Sequence, residues 1–309
     1  MTNRERVITS LKHKQPDKVP YNISFTQQAH AKMAAFYGDP DFEEKLGNCS
    51  IEMDTKPANS WKEIKKGFWQ DQFGVLWDRT LDKDIGVVSN VLITPENIDA
   101  YRFPDADDPS RYARYDKLIK ENPDKFIVAQ LGFSLFERAW ALAGMENLFV
   151  YMISEPEFVH NLMDKILDFN LKIIKNAARH NIDCIHFGDD WGSQTGLLMG
   201  KKLWDEFIRP RIKQLYGEVK KNGKYVSIHS CGDVKELFPD LIECGLDIFN
   251  PFQPEVIDVF EAKKQYGNSL TFYGGISTQQ TLPYGTVEQV KDEVKRILDV
   301  VGPWGTESI

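Results

Sequence analysis

The sequence predicts an α/β fold, a (β/α)8 TIM-like barrel. From about residue 125, short runs rich in β-branched and aromatic residues alternate with longer amphipathic patterns, which is typical of a parallel sheet built from βαβ units. The length of 309 residues also suits one such barrel, which often runs to roughly 200 to 300 residues. No Pro/Gly/Ser-rich linker divides the chain, so residues 1–309 are predicted to form a single domain.

Short apolar runs predict the strands. They cover residues 125–131, 184–188, 225–229, 247–250 and 271–274.

Amphipathic patterns predict the helices between these strands. Residues 157–180 repeat apolar side chains at three- and four-residue steps, and Ser154 to Glu157 match a capping box with proline in the first turn. A second helix is predicted over 202–221, kinked at Pro210, and a third over 287–301, where Thr286 and Gln289 form another capping pattern.

The first 110 residues are less regular. They predict a helix over 4–12, a strand over 19–23 and a helix over 27–37. The aromatic stretch 68–77 predicts a hairpin or lid whose bulky side chains serve packing rather than ligand stacking.

Composition excludes several classes of protein. The formal charge of −8 and pI near 5.4 disfavour a nucleic-acid partner. The sequence shows no signal-peptide pattern and no apolar run near the roughly 18 residues of a membrane span, so a cytoplasmic protein is expected. Four cysteines are too few for a disulfide framework, and Cys184 and Cys244 are interpreted as small buried residues.

Polar residues follow the predicted strands. The carboxyl ends of barrel strands share one mouth, where the chemistry of such proteins occurs. The residues at these ends are Gln130, Asp189, Asp190, His229, Cys231, Asn250, Gln253, Gly274 and Gly275.

His229 and Cys231 lie two residues apart at the end of a strand, so their side chains project from the same face. A converging imidazole and thiol predict Zn²⁺ ligation with a position left open for substrate. Two ligands alone do not hold a metal, and a capping histidine beside a buried cysteine is the alternative interpretation.

Carboxylates supply the catalytic candidates. Asp189 and Asp190 are adjacent, so only one of them can face the mouth, as a third ligand, a general base or a substrate acceptor. Glu137 is a further candidate, with a surface ion pair to Arg138 as the alternative. Gly275 has no side chain, so the backbone at this position can approach a ligand closely, and Ser277 can cap the helix that follows.

Several segments resemble the uroporphyrinogen decarboxylase superfamily in order along nearly the whole chain. They are residues 4–7, 17–20, 71–75 (Asp-Gln-Phe-Gly-Val), 188–190 (Gly-Asp-Asp), 229–232 (His-Ser-Cys-Gly), 250–253 (Asn-Pro-Phe-Gln) and 274–276 (Gly-Gly-Ile). The His-Ser-Cys-Gly element resembles the zinc-dependent methyltransferases that work with corrinoid proteins, of the methylcobamide:coenzyme M type.

The resemblance implies a methyltransferase that moves a methyl group between a corrinoid and a thiol or other small substrate. It implies His229 and Cys231 as zinc ligands, with Asp189, Asp190 or Glu137 as a further ligand or proton handler. Gln130, Asn250, Gln253, Gly275 and Ser277 are the candidates for binding substrate. The implied partners are a corrinoid protein or free cobamide and a small methyl donor or acceptor, in a possible homo-oligomer.

Porphyrinogen decarboxylation is the alternative activity. Decarboxylases of the superfamily carry an arginine-rich loop that grips substrate carboxylates, whereas residues 24–30 contain no arginine. A non-catalytic corrinoid-binding relative is the third hypothesis.

Two departures from the family pattern qualify the resemblance. Many relatives have Asp where this chain has Ser277. The methyltransferases also place a third metal ligand on a strand beyond the helix that ends near Val301, and the sequence stops at Ile309. The barrel is therefore expected to lack its last strand, its last helix and that ligand.

Overall fold

A computed structural model of the chain describes residues 1–302. Its strands are β1 (Ser50–Asp54), β2 (Lys62–Lys65), β3 (Phe68–Gln70), β4 (Leu76–Asp78), β5 (Val87–Val88), β6 (Phe126–Phe133), β7 (Cys184–Gly188), β8 (Gly192–Ser193), β9 (Gly196–Leu197), β10 (Tyr225–His229), β11 (Ile248–Phe252) and β12 (Thr271–Gly274).

The α-helices are α1 (Asn3–Leu11), α2 (Gln27–Tyr37), α3 (Tyr115–Glu121), α4 (Phe136–Ala143), α5 (Met145–Ser154), α6 (Pro156–Ala177), α7 (Gly200–Leu203), α8 (Arg209–Lys221), α9 (Phe238–Cys244), α10 (Val259–Tyr266), α11 (Thr281–Tyr284) and α12 (Val287–Val300). Short 3₁₀ turns cover Phe42–Lys45, Pro109–Tyr112 and Lys235–Leu237, and a π-helical turn covers Trp204–Ile208. Within residues 1–302, no helix is both long enough and apolar enough to cross a bilayer.

A parallel sheet forms the centre of the fold, in the order β1-β6-β7-β10-β11-β12. Its register sets Gln130 beside His186, and it sets His229 beside both Gly188 and Asn250. The carboxyl ends of four neighbouring strands therefore meet at one edge, as expected for parallel strands of a barrel.

Three of the predicted strands have the observed bounds, and two are shifted by one to two residues to Phe126–Phe133 and Ile248–Phe252. The strand predicted over 19–23 is wrong. Pro20 cannot donate to a ladder, and the carbonyl groups of Tyr21 and Ile23 accept from the Cys49 backbone and the Asn48 side chain instead. The first strand, β1, follows at residue 50 and was not predicted.

The helix predicted over 27–37 has the observed bounds, and the other predicted helices are confirmed with different starts or ends. The capping box at Ser154 is wrong, because Ser154 ends α5 and its hydroxyl donates to the Val150 carbonyl. The capping box at Thr286 is confirmed. Near Pro210 the predicted kink takes the form of the π-helical turn before α8, which places the proline in the first turn of a new helix.

A small antiparallel sheet, β2-β3-β4-β5, folds over one side of the barrel. It contains the predicted hairpin, because β3 and β4 pair around residues 71–75. Phe73 and Trp77 are buried, and the Trp77 ring lies 5.6 Å from the Phe133 ring. The burial of Phe73 confirms its interpretation as a packing residue.

Apolar side chains pack at the amino-terminal end of the barrel interior. Leu11 of α1 packs there with Phe126, Val128, Cys184 and Ile248. The same five side chains form part of the apolar wall of an interior cavity.

Two predictions concern the end of the chain. The expected loss of the last strand and helix depended on residues 305–309, which lie outside the described residues. The single domain over 1–309 stays a prediction for the same reason.

A cavity of about 130 Å³ lies inside the barrel, and Glu52, His186, Ser227 and Tyr273 line part of it. His186 Nδ1 lies 2.8 Å from Ser227 Oγ. Burial, and next the nearby charge of His229, lowers the pKa of His186 to about 3. His186 is therefore neutral in the folded protein across the physiological pH range.

We predict that His186 makes the fold sensitive to acid. Its unfolded-state pKa is about 6.5 and its folded-state pKa about 3, so the unfolded chain binds more protons between these values. The free energy of unfolding should fall by about 2 kcal/mol between pH 7 and pH 5 from this residue alone. Urea unfolding of the unchanged protein and of His186→Gln at both pH values measures this loss of stability. The loss should be smaller by about 2 kcal/mol in His186→Gln, and equal losses in the two proteins would contradict the prediction.

Candidate metal centre

The end of β10 presents His229 and Cys231 on a loop with a fixed backbone. The Ser230 amide donates to the Asn250 carbonyl at 2.7 Å, and the Gly232 amide donates to the Gln253 side-chain oxygen at 3.3 Å. Gly232 has a φ of +86°, and a Cβ there would lie 2.4 Å from a backbone carbon of Gly192. Only glycine fits this position, so the loop cannot vary there without moving the thiol.

His229 has one defined orientation. Its Nδ1 lies 2.7 Å from Asn250 Oδ1, and the Asn250 amide in turn donates to the Tyr273 carbonyl at 3.0 Å. This second hydrogen bond fixes which end of the amide faces the imidazole, so Nδ1 carries the hydrogen. The lone pair of Nε2 then faces Cys231, whose Sγ lies 3.2 Å away.

Asp190 completes a cluster of three candidate ligands. Its Oδ1 accepts from the Cys231 amide at 2.7 Å and lies 3.9 Å from His229 Nε2. One ligand atom from each residue lies within 4.8 Å of the other two. Ligands of a tetrahedral zinc ion are separated by roughly 3.3 to 3.8 Å, given its usual bond lengths. The three side chains thus need only small movements to hold such an ion.

The electrostatics of the cluster favour a cation. Burial, followed by the charges of Asp190 and Glu137, raises the pKa of the Cys231 thiol to about 12. Burial, followed by Asp190 and Asp189, raises the pKa of Glu137 to about 9. Both groups are protonated at neutral pH in this acidic environment. A divalent cation would supply the positive charge that a thiolate ligand needs.

Asp189 is held within the scaffold, and a catalytic role for it stays a prediction. Its fully buried carboxylate accepts from the backbone amides of Leu135, Phe136 and Glu137 and from the Trp191 indole. These amides start α4, which has no side-chain cap of its own. Burial raises the pKa of Asp189 to about 6, although the four hydrogen-bond donors act to lower it. The carboxylate is therefore mostly ionised at neutral pH. The neighbouring side chain of Asp190 faces the other way, toward Cys231, as expected for adjacent residues.

Most of the predicted substrate-binding residues are engaged within the protein. The Ser277 hydroxyl donates to Glu255 at 2.5 Å and accepts from the amides of Gln280 and Thr281. Gly275 packs on α12, where an added Cβ would lie 3.3 Å from Ile297.

The remaining three candidates lie nearer the barrel interior. The Gln253 side chain holds the Gly232 amide, and Gln130 lies beside His186 in the register of the central sheet. Asn250 adjoins the cluster directly as the partner of His229. The structure therefore brings Asp190, His229, Cys231 and Asn250 together, with Glu137 beside them, and leaves Ser277 and Gly275 in supporting contacts.

Sequence reasoning missed two polar residues inside the barrel. Glu52 lies on β1, which was not predicted, and burial raises the pKa of its carboxyl group. His186 lies in a correctly predicted strand, two residues before its end. Strand alternation alone would have placed His186 in the interior, because Gly188 two positions further on faces the same side.

The fold and the cluster define an α/β-barrel protein with a candidate metal centre at the carboxyl ends of its strands. The chain belongs to the uroporphyrinogen decarboxylase (URO-D) family, whose family model matches residues 78–306. The resemblance found in the sequence is thereby confirmed.

Curated relatives fall into two groups by name. A methylated-thiol–coenzyme M methyltransferase of Methanosarcina mazei is 25% identical over 191 residues, which is 60% of this chain and 50% of that protein. A methylcobamide:CoM methyltransferase MtaA of Methanosarcina barkeri is 27% identical over 166 residues, 52% of this chain and 47% of that protein. A uroporphyrinogen decarboxylase of Chlorobaculum parvum is 26% identical over 244 residues, 73% of this chain and 66% of that protein. The chain thus spans about half the length of the two methyltransferases.

A solved structure confirms the predicted fold. A protein described as a methyltransferase from Methanosarcina mazei superposes with a TM-score of 0.73 at 17% sequence identity. The match covers 97% of this chain and 90% of that chain.

We predict that substitution of the two adjacent aspartates lowers stability by different amounts. Asp189→Asn leaves buried amides of α4 without an acceptor, which should lower the free energy of unfolding by about 3 kcal/mol. Asp190→Asn should cost less than about 1 kcal/mol, because its side chain is about one-third exposed (37%). Urea unfolding at pH 7.5 measures both, and equal losses would contradict the division between scaffold and site.

Proposed function

We propose that the chain is a zinc-dependent methyltransferase that moves a methyl group between a corrinoid and a thiol or other small substrate. The convergence of Cys231 Sγ, His229 Nε2 and the Asp190 carboxylate is the observation that carries this proposal. The names of two relatives, which refer to a methylated thiol and to methylcobamide, support the choice of substrates.

Cys231, His229 and Asp190 would hold the zinc ion. Thiolate, imidazole and carboxylate are all ordinary zinc ligands, and three protein ligands leave the fourth position for substrate, as in catalytic zinc sites. Bound zinc would supply a Lewis acid that keeps a substrate thiol deprotonated at neutral pH.

The protein's own side chains orient and insulate this site. Asn250 turns His229 so that Nε2 faces the cluster, and Asp190 holds the Cys231 amide. Glu137 retains a proton on its carboxyl group at neutral pH, so it adds no second negative charge beside Asp190. Glu137 is thus proposed as a hydrogen-bond donor or proton handler next to the bound substrate.

Uroporphyrinogen decarboxylation is the second candidate. The Chlorobaculum parvum decarboxylase matches a larger share of this chain than either methyltransferase does. Against it, residues 24–30 offer no arginine for a substrate with many carboxylates. The cytoplasmic location, the absence of a nucleic-acid partner and the possible homo-oligomer stay predictions from the sequence.

We predict about one zinc ion per chain. Protein prepared without chelators should contain it by elemental analysis, and Cys231→Ser and Asp190→Asn should each lower zinc affinity because each removes or neutralises one ligand. Asn250→Ala, which frees the imidazole without removing a ligand, should lower zinc affinity about 10- to 100-fold.

Asp233→Asn is the matched control for zinc binding. This carboxylate lies two residues beyond Cys231 but pairs with Lys235 on the surface, so zinc affinity should not change. Zinc at well below one per chain, or equal affinity in Cys231→Ser, would contradict the metal centre.

We predict methyl transfer from methylcobalamin to 2-mercaptoethanol. The methyl group would leave cobalt for sulfur, the cobalt would keep the electron pair of the broken bond, and the thiol proton would pass to water. The methylated thiol, measured by mass spectrometry, should form at least about 100-fold more slowly with Cys231→Ser and at an unchanged rate with Asp233→Asn.

Two other results would identify the alternatives. Loss of carboxylate from uroporphyrinogen without methyl transfer would assign the chain to decarboxylation. Tight binding of cobalamin with neither zinc nor turnover would instead support the non-catalytic relative.

A further inference from the structure

A second cavity, of about 190 Å³, lies under the small antiparallel sheet. Aromatic side chains from three parts of the chain form its walls. The Trp77 ring lies 5.6 Å from the Phe133 ring and 6.0 Å from the Trp61 ring. None of the three candidate zinc ligands lines this cavity, so it is a separate site.

The cavity also contains a cation with free hydrogen-bond donors. The Arg79 guanidinium stacks 4.2 Å above the Trp61 ring, and its Nε donates to the Ile85 carbonyl at 3.2 Å. Among the described residues, its two terminal nitrogens have no hydrogen-bond partner and no carboxylate within 4 Å. Asp82 and Asp84 affect its pKa through charge alone. Arg79 is therefore held rigidly with a fork of donors available.

Two further cations line the cavity. Lys56 Nζ lies 3.7 Å from Asp54 Oδ1, and that carboxylate is mostly exposed to solvent. Arg138 is buried and bonded to Asp71 at 3.0 Å, and its Nε has no partner. The pair of Arg138 and Asp71 is nearly neutral, so Lys56 and Arg79 together outweigh the single remaining carboxylate in the lining, Asp84.

Two carboxylates that line the cavity are already engaged. Asp71 accepts from Arg138, from two backbone amides of its own hairpin and from the Trp77 indole. Asp84 accepts from the Gln27 amide at the start of α2. Neither carboxylate therefore favours a cationic ligand, whereas the unpaired donors of Arg79 favour an anionic one.

We propose that this cavity binds a small, flat organic anion, with its ring against Trp77 and Phe133 and its anionic oxygens on Arg79 and Lys56. The volume is below the roughly 300 to 1,000 Å³ typical of sites for drug-sized ligands, which limits the ligand to about one ring. A guanidinium fork matches a carboxylate in geometry, and stacking on Trp61 keeps that fork in place without a protein carboxylate.

Benzoate is the probe that tests this site, with benzyl alcohol as its neutral counterpart and inorganic phosphate as the anion without a ring. Quenching of tryptophan fluorescence, checked by calorimetry, should show saturable binding of benzoate at least about 10-fold tighter than that of either comparison compound. Arg79→Gln should weaken benzoate binding by about 10- to 100-fold and leave benzyl alcohol unchanged.

Lys83→Gln is the matched control, because this nearby cation does not line the cavity. Lys56→Gln is a second, surface variant that should weaken benzoate by a few-fold, and thermal melting of each free variant shows that it is folded. Equal affinity for benzoate and benzyl alcohol, unchanged binding by Arg79→Gln, or no saturation by benzoate would each overturn the proposal. Zinc content is measured on the same samples, so this result stands apart from the outcome for the metal centre.

Discussion

The register between β7, β10 and β11 is the constraint on which the candidate metal centre depends. It sets His229 opposite Gly188 on one side and Asn250 on the other. Gly188 has no side chain, and a Cβ there would lie 3.7 Å from a carboxylate oxygen of Glu137. The glycine thus lets β7 lie close to the Gly132 backbone of β6, 3.3 Å from where a Cβ would be, while Asn250 fixes the imidazole from the neighbouring strand β11. A shift of one residue in this register would turn every one of these side chains to the other face of the sheet.

The two adjacent carboxylates, Asp189 and Asp190, have different roles. Asp189 is fully buried and starts α4, whereas Asp190 faces the thiol. Alternation along an extended segment requires this separation, because consecutive side chains point in opposite directions. The scaffold role also serves the site, since the Asp189 carboxylate fixes the helix turn that carries Glu137. The Gly-Asp-Asp segment thus couples the position of a helix to the position of a ligand.

Most of the barrel and the centre of the site could be predicted from the sequence, for local physical reasons. The bounds of the short strands 184–188, 225–229 and 271–274 were predicted as observed. The strand at 50–54 escaped prediction because Glu52 and Asp54 give it polar alternation rather than an apolar run. The convergence of His229 with Cys231 followed from a two-residue period. The role of Asp189 and the bond between Ser277 and Glu255 depend on partners more than 15 residues away, which no local pattern contains.

The helix α4 links the two proposed sites, because its neighbouring residues, the acid Glu137 and the base Arg138, face one site each. Glu137 faces the metal centre, where burial and two aspartates raise its pKa to about 9. Arg138 faces the cavity under the hairpin, where Asp71 balances its buried charge. The side chains diverge around the helix, so the ion pair between them that the sequence suggested does not form. Each is instead satisfied locally, Glu137 by holding its proton and Arg138 by pairing with Asp71. Because both depend on the same first turn, the Asp189 carboxylate that starts α4 positions one wall of each site.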